Sequence, residues 1–241
     1  MMKRISKIVG WGLGLFLLLY LILSPIEKSE EAWGTWSLPL SGKTIVIDPG
    51  HGGPDGGAEG TDGTHEKGIS LEVAKKLRDL LQQSGALVYL TREEDKDLAD
   101  AETRGLSKRK SEDIRKRLQF IHDKEADFFV TIHLNAIPSP RWHGAQTFYY
   151  PKFPESKHLS KMIQAEIVRN LENTNREALS INGIYLLENA EVPGSLVEIG
   201  FLSNEQEREL LKQESYQRQM AGSIYEGILR YMTEEIVEEG E

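Results

Sequence analysis

From residue 44 onward, short apolar runs alternate with stretches in which apolar residues recur every three or four positions. Apolar runs of this length indicate β-strands, and the longer periodicity indicates amphipathic helices. Strands that alternate with helices are typical of an α/β domain whose sheet is largely parallel. We therefore expect a single α/β domain with a mostly parallel six-stranded sheet flanked by helices. The predicted strands are Thr44–Ile47, Ala86–Leu90, Phe128–Ile132, Ala145–Tyr150, Ile184–Leu187 and Ser195–Ile199.

Local signals mark where two of the helices begin. Ser70 is the predicted N-cap of the helix that follows the first strand. Asn204 and Glu207 have the spacing of a capping box and predict the start of a helix near the end of the chain. The last helical stripe ends at Met232, and residues 233–241 form an acidic tail that we expect to be solvated.

The N-terminus carries a targeting signature. Lys3, Arg4 and Lys7 precede an uncharged run of nineteen residues, Ile8–Ile26. As a helix that rises about 1.5 Å per residue, this run reaches about 28 Å, close to the thickness of a bilayer core. Basic residues ahead of it predict that the rest of the chain is exported. Because no small-residue cleavage site follows, we expect an uncleaved anchor, with a cleaved signal peptide or a buried core helix as alternatives.

These signals divide the chain into four parts. Residues 1–26 are the signal or anchor segment, and residues 27–42 are a linker. Residues 43–232 form the folded domain, and residues 233–241 form the acidic tail. The expected location is outside the cytoplasm, either membrane-anchored or secreted.

Composition excludes several functions. Acidic residues number 38 against 29 basic ones, which gives a net charge of −9. This sign disfavours binding to nucleic acid, because polyphosphate would be repelled. Cysteine is absent, so disulfides, thiol nucleophiles and thiolate metal sites are excluded together. Any metal must therefore be bound by histidine and carboxylate side chains.

One segment is unusually rich in charge. Between Arg92 and Arg117, 17 of 26 residues are charged, nine of them basic and eight acidic. The balance of sign favours a solvated surface excursion, with a loop that faces a substrate or partner as the alternative. A helix is expected from about Ser111.

Two histidines follow predicted strands directly. His51 lies in a turn after the first strand, and seven glycines lie between Gly50 and Gly63. His133 follows the third strand. In open α/β sheets, ligands bind outside the carboxyl ends of the strands, so these two side chains can converge. A structural histidine is the alternative for each of them taken alone.

A third metal ligand would have to be another histidine or a carboxylate. Catalytic zinc is commonly held by two histidines and one glutamate, with one position left for water. Glu66 is the best candidate, because it lies beyond the glycine-rich turn where the chain can fold back onto His51. His65 is a weaker substitute, and an exposed acid near a helix start is the non-functional interpretation of Glu66.

Glu198 is the fourth candidate, and its surroundings single it out. It is the only charged residue in the apolar run Leu196–Phe201, which predicts a strand buried on both faces. A buried carboxylate must be paired, protonated or close to a metal. We expect Glu198 to take a proton from water and return it to a leaving amine, so that the site hydrolyses an amide. A structural ion pair is the alternative.

Several strings together resemble a known family. They are IVIDPGHGGPDGGA, FFVTIHLNA and SLVEIGFLSN, with Glu66-Lys67, Leu90-Thr91-Arg92 and Gly144 with Phe148-Tyr149-Tyr150 between them. In this order they resemble the zinc-dependent N-acetylmuramoyl-L-alanine amidases of bacterial cell walls. The resemblance implies a single α/β domain, zinc at positions that match His51, Glu66 and His133, and a catalytic glutamate at the position of Glu198. It also implies cleavage of the amide between N-acetylmuramic acid and L-alanine in peptidoglycan.

A more specific resemblance is to the germination-specific branch of that family in endospore formers. It rests on WSLPLSGK, HLNAIPS, GAQTFYY and ENTNR. That branch implies removal of stem peptides from spore cortex, so that muramic δ-lactam can form. A zinc peptidase and a catalytically silent wall-binding protein remain alternatives, and an activator protein would be a further partner besides peptidoglycan.

Overall fold

The computed structural model describes residues 11–20 and 38–236. The chain divides into two compact units, Met1–Ser37 and Leu38–Glu241. In the first unit, residues 11–20 are helical, and the remainder of the predicted apolar run lies outside the described residues. Among the described helices, none is both long enough and apolar enough to cross a membrane.

The second unit contains six strands and six helices among its described residues. The strands are β1 (Thr44–Pro49), β2 (Leu87–Leu90), β3 (Phe128–Asn135), β4 (Gln146–Tyr149), β5 (Leu179–Ser180) and β6 (Gly194–Phe201). The helices are α1 (Glu66–Gln83), α2 (Leu106–Asp123), α3 (Pro154–Leu171), α4 (Tyr185–Asn189), α5 (Glu205–Leu211) and α6 (Glu214–Thr233).

The strands form one sheet in the order β2-β1-β3-β6-β4-β5. The pairs β1–β2, β1–β3 and β3–β6 are parallel. β4 pairs with β6 in the antiparallel sense, and β5 is parallel to β4. The expected α/β domain with a mostly parallel six-stranded sheet is therefore confirmed.

Apolar residues cover both faces of this sheet. Ile45 and Ile47 of β1 pack into one cluster, whereas Val46 between them packs into another. This alternation follows from the two-residue period of a strand, whose successive side chains point to opposite faces. α1, α3 and α6 pack together on the first face, and α2 and α4 lie on the second. Burial on both faces explains why the central strands are apolar runs.

Three predicted elements were placed wrongly. The run Ile184–Leu187 is not a strand; the chain there forms the short helix α4, and the fifth strand is Leu179–Ser180. α1 begins at Glu66 rather than after Ser70, whose hydroxyl instead donates to the Gly50 carbonyl. α2 begins at Leu106, five residues before the expected start. Short apolar runs and capping residues allow more than one assignment until tertiary contacts decide between them.

Of the two hydrogen bonds of the capping box expected at the start of α5, one is formed. The Asn204 side chain accepts a hydrogen bond from the backbone N–H of Glu207. The Glu207 carboxylate does not return to Asn204; its oxygens accept the backbone N–H groups of Gly144 and Phe201. Glu207 therefore ties the loop before β4 to the end of β6.

Candidate active site

Two predicted site residues, His133 and Glu198, lie next to each other on neighbouring strands, and Gly50, which precedes the predicted ligand His51, lies beside them. His133 of β3 is level with Glu198 of β6, and Glu198 is level with Gln146 of β4. Gly50 extends the row on the other side, since its N–H donates to the carbonyl of Ile132. Residues level with each other on neighbouring strands project to the same face. The expectation that the strand ends bring the two histidines towards one place is confirmed.

Gly50 makes room for the His133 imidazole. A Cβ atom at residue 50 would lie 2.4 Å from His133 Cε1 and 2.6 Å from its Nδ1. No side chain larger than hydrogen fits there unless the ring moves. The glycine is thus required by the close approach of a histidine.

His51 is held in a conformation that is uncommon for residues other than glycine. Its φ is +59°, in the left-handed region. Its Nδ1 lies 2.8 Å from Asp55 Oδ2, and Asp55 also forms an ion pair of 2.8 Å with Lys110. The hydrogen bond to Asp55 orients the ring so that Nε2 points towards Glu66. A carboxylate that orients a ligating histidine is a common feature of metal sites.

Glu66 completes a cluster with both histidines. Its Oε2 lies 3.2 Å from His51 Nε2, and its Oε1 lies 2.8 Å from His133 Nδ1. The carboxylate is almost fully buried, and it also accepts the backbone N–H groups of Ala58 and Leu134. One ligand atom from each of these three residues lies within 4.8 Å of the others. His65, the weaker candidate, is exposed and is not part of this cluster.

The electrostatics of the cluster favour a positive partner. Burial alone would raise the pKa of Glu66, but hydrogen bonds and charge from His133 and His51 hold it well below its usual range. Burial would lower the pKa of His51, but bonds to Glu66 and Asp55 raise it to about 8. Two imidazoles and one ionised carboxylate are also the ligand set of many catalytic zinc sites. The residues present therefore fit a divalent cation.

Glu198 lies beside this cluster and outside it. Its Oε2 atom is buried and has no hydrogen-bond partner among the described residues. Burial raises its pKa to about 7; the Glu66 carboxylate adds to the rise, and the two histidines oppose it. A carboxyl group with this pKa can both accept and donate a proton near neutral pH. The alternative for Glu198, a structural ion pair with an arginine, is not found among the described residues.

Two arginines that the sequence suggested were at the surface are buried under the His51 loop. Arg117 of α2 is 1% exposed and binds Asp48 at 2.7 Å. It also donates to the carbonyls of Pro49 and His51. The bond to His51 holds the residue whose backbone has positive φ, so Arg117 stabilises the loop geometry directly.

Arg92 supports the same loop from the side of α1. It is 1% exposed, and it donates to the carbonyls of Pro49, Gly50 and Lys67. The assignment of residues 92–117 as a wholly solvated excursion is therefore wrong at both ends. The prediction rested on the nearly equal numbers of acidic and basic residues in this segment. Such a count does not show which of the side chains are buried.

A cavity of about 210 Å³ opens beside the cluster, and His51, His133 and Ile114 are among its lining residues. Lys110 lies at the same cavity and is about half exposed on its side chain. Space next to two potential ligands leaves access for a substrate from the α2 side.

Comparison with known proteins agrees with this geometry. The profile of the N-acetylmuramoyl-L-alanine amidase family matches residues 45–230. The germination-specific N-acetylmuramoyl-L-alanine amidase of Bacillus subtilis (strain 168) is 52% identical over 233 residues, which cover 97% of this chain and 98% of that protein.

Solved structures give the same result. The CwlD amidase from Clostridioides difficile, solved in complex with the GerS lipoprotein, matches with a TM-score of 0.78 and 44% identity, over 79% of this chain and 98% of that one. The amidase AmiC2 of Nostoc punctiforme matches with a TM-score of 0.68 and 31% identity, over 80% of this chain and 99% of that one. The family match spans all four predicted site residues, and the chain belongs to the N-acetylmuramoyl-L-alanine amidase family.

Proposed function

We propose that this amidase binds Zn²⁺ through His51, Glu66 and His133 and uses Glu198 as its general acid–base residue. The observation that supports the proposal is the juxtaposition of the three-residue cluster with a buried carboxylate oxygen that has no partner within the described chain. The bond cleaved is the amide between N-acetylmuramic acid and L-alanine in peptidoglycan. When bound, Zn²⁺ supplies Lewis acidity and lowers the pKa of water.

The chain's own residues account for the proton movements. Glu198 accepts a proton from the attacking water and donates it to the nitrogen of the departing L-alanine. Burial raises the pKa of Glu198 above the usual range of a carboxyl group, which favours its return of the proton to the amine. Asp55 holds the His51 ring through Nδ1, and Arg117 holds the backbone of the same residue.

Substitution of Glu198 separates metal binding from chemistry. Glu198→Gln keeps the shape of the side chain but cannot accept a proton, so stem-peptide release should fall by about 10²–10⁴-fold while one zinc per chain remains bound. Elemental analysis measures the zinc, and mass spectrometry measures the released peptides. Glu205→Gln, at an exposed position on α5, is the control and should retain full activity. Loss of zinc from Glu198→Gln would make Glu198 a ligand, and full activity would make it a structural acid.

A ligand substitution tests the other half of the proposal. His133→Ala removes one of three ligands and should lower zinc content and affinity, because two protein ligands seldom retain the metal. Unchanged zinc content in this variant would contradict the ligand assignment.

The physiological substrate that we propose is spore cortex. The support is the identity of 52% to a protein named as germination-specific, over nearly the whole of both chains. Removal of stem peptides by this enzyme would prepare muramic acid residues for conversion to δ-lactam by a separate deacetylase. Cortex and vegetative wall, offered as alternative substrates to the purified enzyme, distinguish this role from general wall hydrolysis.

We also propose that residues 43–232 act outside the cytoplasm, anchored by the N-terminal segment. Lys3, Arg4 and Lys7 before the apolar run support this orientation. A lipoprotein is the kind of partner to test, because the CwlD relative was solved in complex with one. A reporter fused after Met232 should be active only outside the cytoplasm, and a mature N-terminus near Pro25 would show a secreted enzyme instead of an anchored one.

A further inference from the structure

Arg176, between α3 and β5, is held in place by two aromatic rings and a carbonyl. Its guanidinium carbon lies 5.8 Å from the centroid of the Trp142 ring and 5.4 Å from that of Phe201. Its Nη1 donates to the carbonyl of Gly144. These contacts fix the position of the guanidinium, which is an arrangement suited to recognition.

The contacts of this segment place Arg176 at the Glu198 edge of the sheet. Gln146 is level with Glu198, and its side-chain amide donates to the carbonyl of Glu177 at 3.1 Å. Phe201, which stacks on the guanidinium, lies three residues beyond Glu198 on β6. Because β4 and β3 flank β6 on opposite sides, Arg176 lies across Glu198 from the metal cluster.

Arg176 forms no close ion pair with a carboxylate among the described residues. Burial raises the pKa of the nearby Glu207, and the charge of Arg176 opposes that rise. The Glu207 carboxylate is bonded to the N–H groups of Gly144 and Phe201, however, and it forms no ion pair with Arg176 in this part of the chain. Only Nη1 of the guanidinium has a hydrogen-bond partner there. Trp142 is 52% exposed, so this stack faces solvent. A fixed guanidinium with unused N–H groups is a good donor to a carboxylate.

We propose that Arg176 binds a carboxylate of the stem peptide and sets the preference of the enzyme for acidic over amidated peptides. The inference rests on the proposed function. The lactyl carboxyl group of the substrate is consumed in the scissile amide, and the N-acetylated sugars are uncharged. On the residue that is being cleaved, free carboxylates are therefore found on the peptide that leaves as an amine. Glu198, the proposed proton donor to that amine, lies on the strand next to β4, whose Gln146 bonds the segment that carries Arg176.

Paired substrates test the proposal. One is a muropeptide chain whose second stem residue carries a free α-carboxylate, and the other carries a carboxamide at the same carbon. The parent enzyme should cleave the acidic substrate with a kcat/KM about 10-fold higher, chiefly through a lower KM, because a hydrogen-bonded charge pair is lost in the amide. Arg176→Gln should lose that preference and cleave the amidated substrate at the parent rate. Arg176→Lys should keep part of it.

The control is Arg218→Gln, which removes an exposed arginine of α6 that pairs with Glu214. It should leave both rates unchanged. Equal loss on both substrates in Arg176→Gln would assign Arg176 a structural role only and overturn the proposal. If that variant does not fold, the parent enzyme still decides, since equal kcat/KM on the two substrates would also overturn it. Failure of the parent to release peptide from either substrate would instead defeat the proposed function.

Discussion

The close approach of Gly50 and His133 gives a direct test of how the sheet positions the metal cluster. In Gly50→Ala the new methyl group would lie 2.4 Å from His133 Cε1, about 1.0 Å closer than the 3.4 Å at which ordinary contact begins. The φ of Gly50 is not positive, so the variant introduces no backbone strain of the left-handed kind. The His133 ring must therefore move by about 1 Å.

A displacement of this size should affect both metal binding and catalysis. A misplacement of about 1 Å can cost about 10²-fold in rate. We expect kcat/KM for stem-peptide release to fall by about that factor, and zinc affinity to fall with it. Zinc affinity is measured by competition with a chelator, and the rate by mass spectrometry of released peptides.

Gly68→Ala is the matched control for this substitution. Gly68 lies in α1, and a Cβ there would meet no described atom within 4 Å. The control should keep full activity and gain about 0.5–1 kcal/mol of stability, because alanine is the better helix former. If Gly50→Ala retained the zinc affinity and activity of the control, the packing of His133 against Gly50 would not position the metal site.

Three further predictions concern the groups that support the site. Arg117→Met leaves the buried Asp48 carboxylate without its ion-pair partner and should lower the free energy of unfolding by about 3–5 kcal/mol, measured in urea. Burial would raise the pKa of Asp48, but Arg117 and two threonine hydroxyls lower it to about 2, so its contribution to stability is present above its ordinary pKa near 4 and is lost as the pH falls towards 2. The variant Asp48→Asn should not lose this stability as the pH falls. If its stability depended on pH in the same way as that of the parent, Asp48 would not be the group that titrates. Asp55→Asn should weaken zinc binding by about 10–100-fold, because Asp55 orients the His51 ring; unchanged affinity would show that it does not.

The sequence contained enough information for the sheet and the position of the site. The central strands are apolar because both faces of the sheet are buried, and this pattern is visible without coordinates. His51 and His133 follow strands that pair in parallel, so the rule on carboxyl ends predicts their common edge. Their convergence with Glu66 depends on the path of the turn between residues 50 and 66. The glycines predicted that a turn is present, but they did not predict its path.

Other features depend on contacts distant in sequence. Leu179–Ser180 is a strand of two exposed residues, too short to produce a periodic signal, and its pairing with β4 defines it. Arg92 and Arg117 are buried because the turn after β1 presents free carbonyls to them. Arg176 is the last residue of the string ENTNR, but that resemblance indicated no role for its side chain, because its surroundings are set by rings that tertiary packing places around it.

The products formed from peptidoglycan test the central claim most directly. The zinc-loaded protein without residues 1–26 is incubated with purified spore peptidoglycan, and the soluble and insoluble products are analysed by mass spectrometry. Amide cleavage predicts intact stem peptides that begin with a free L-alanine amine, together with glycan chains that carry free lactyl carboxyl groups. Peptides cut between two amino acids would identify a zinc peptidase instead, and the absence of any product would indicate a silent wall-binding protein.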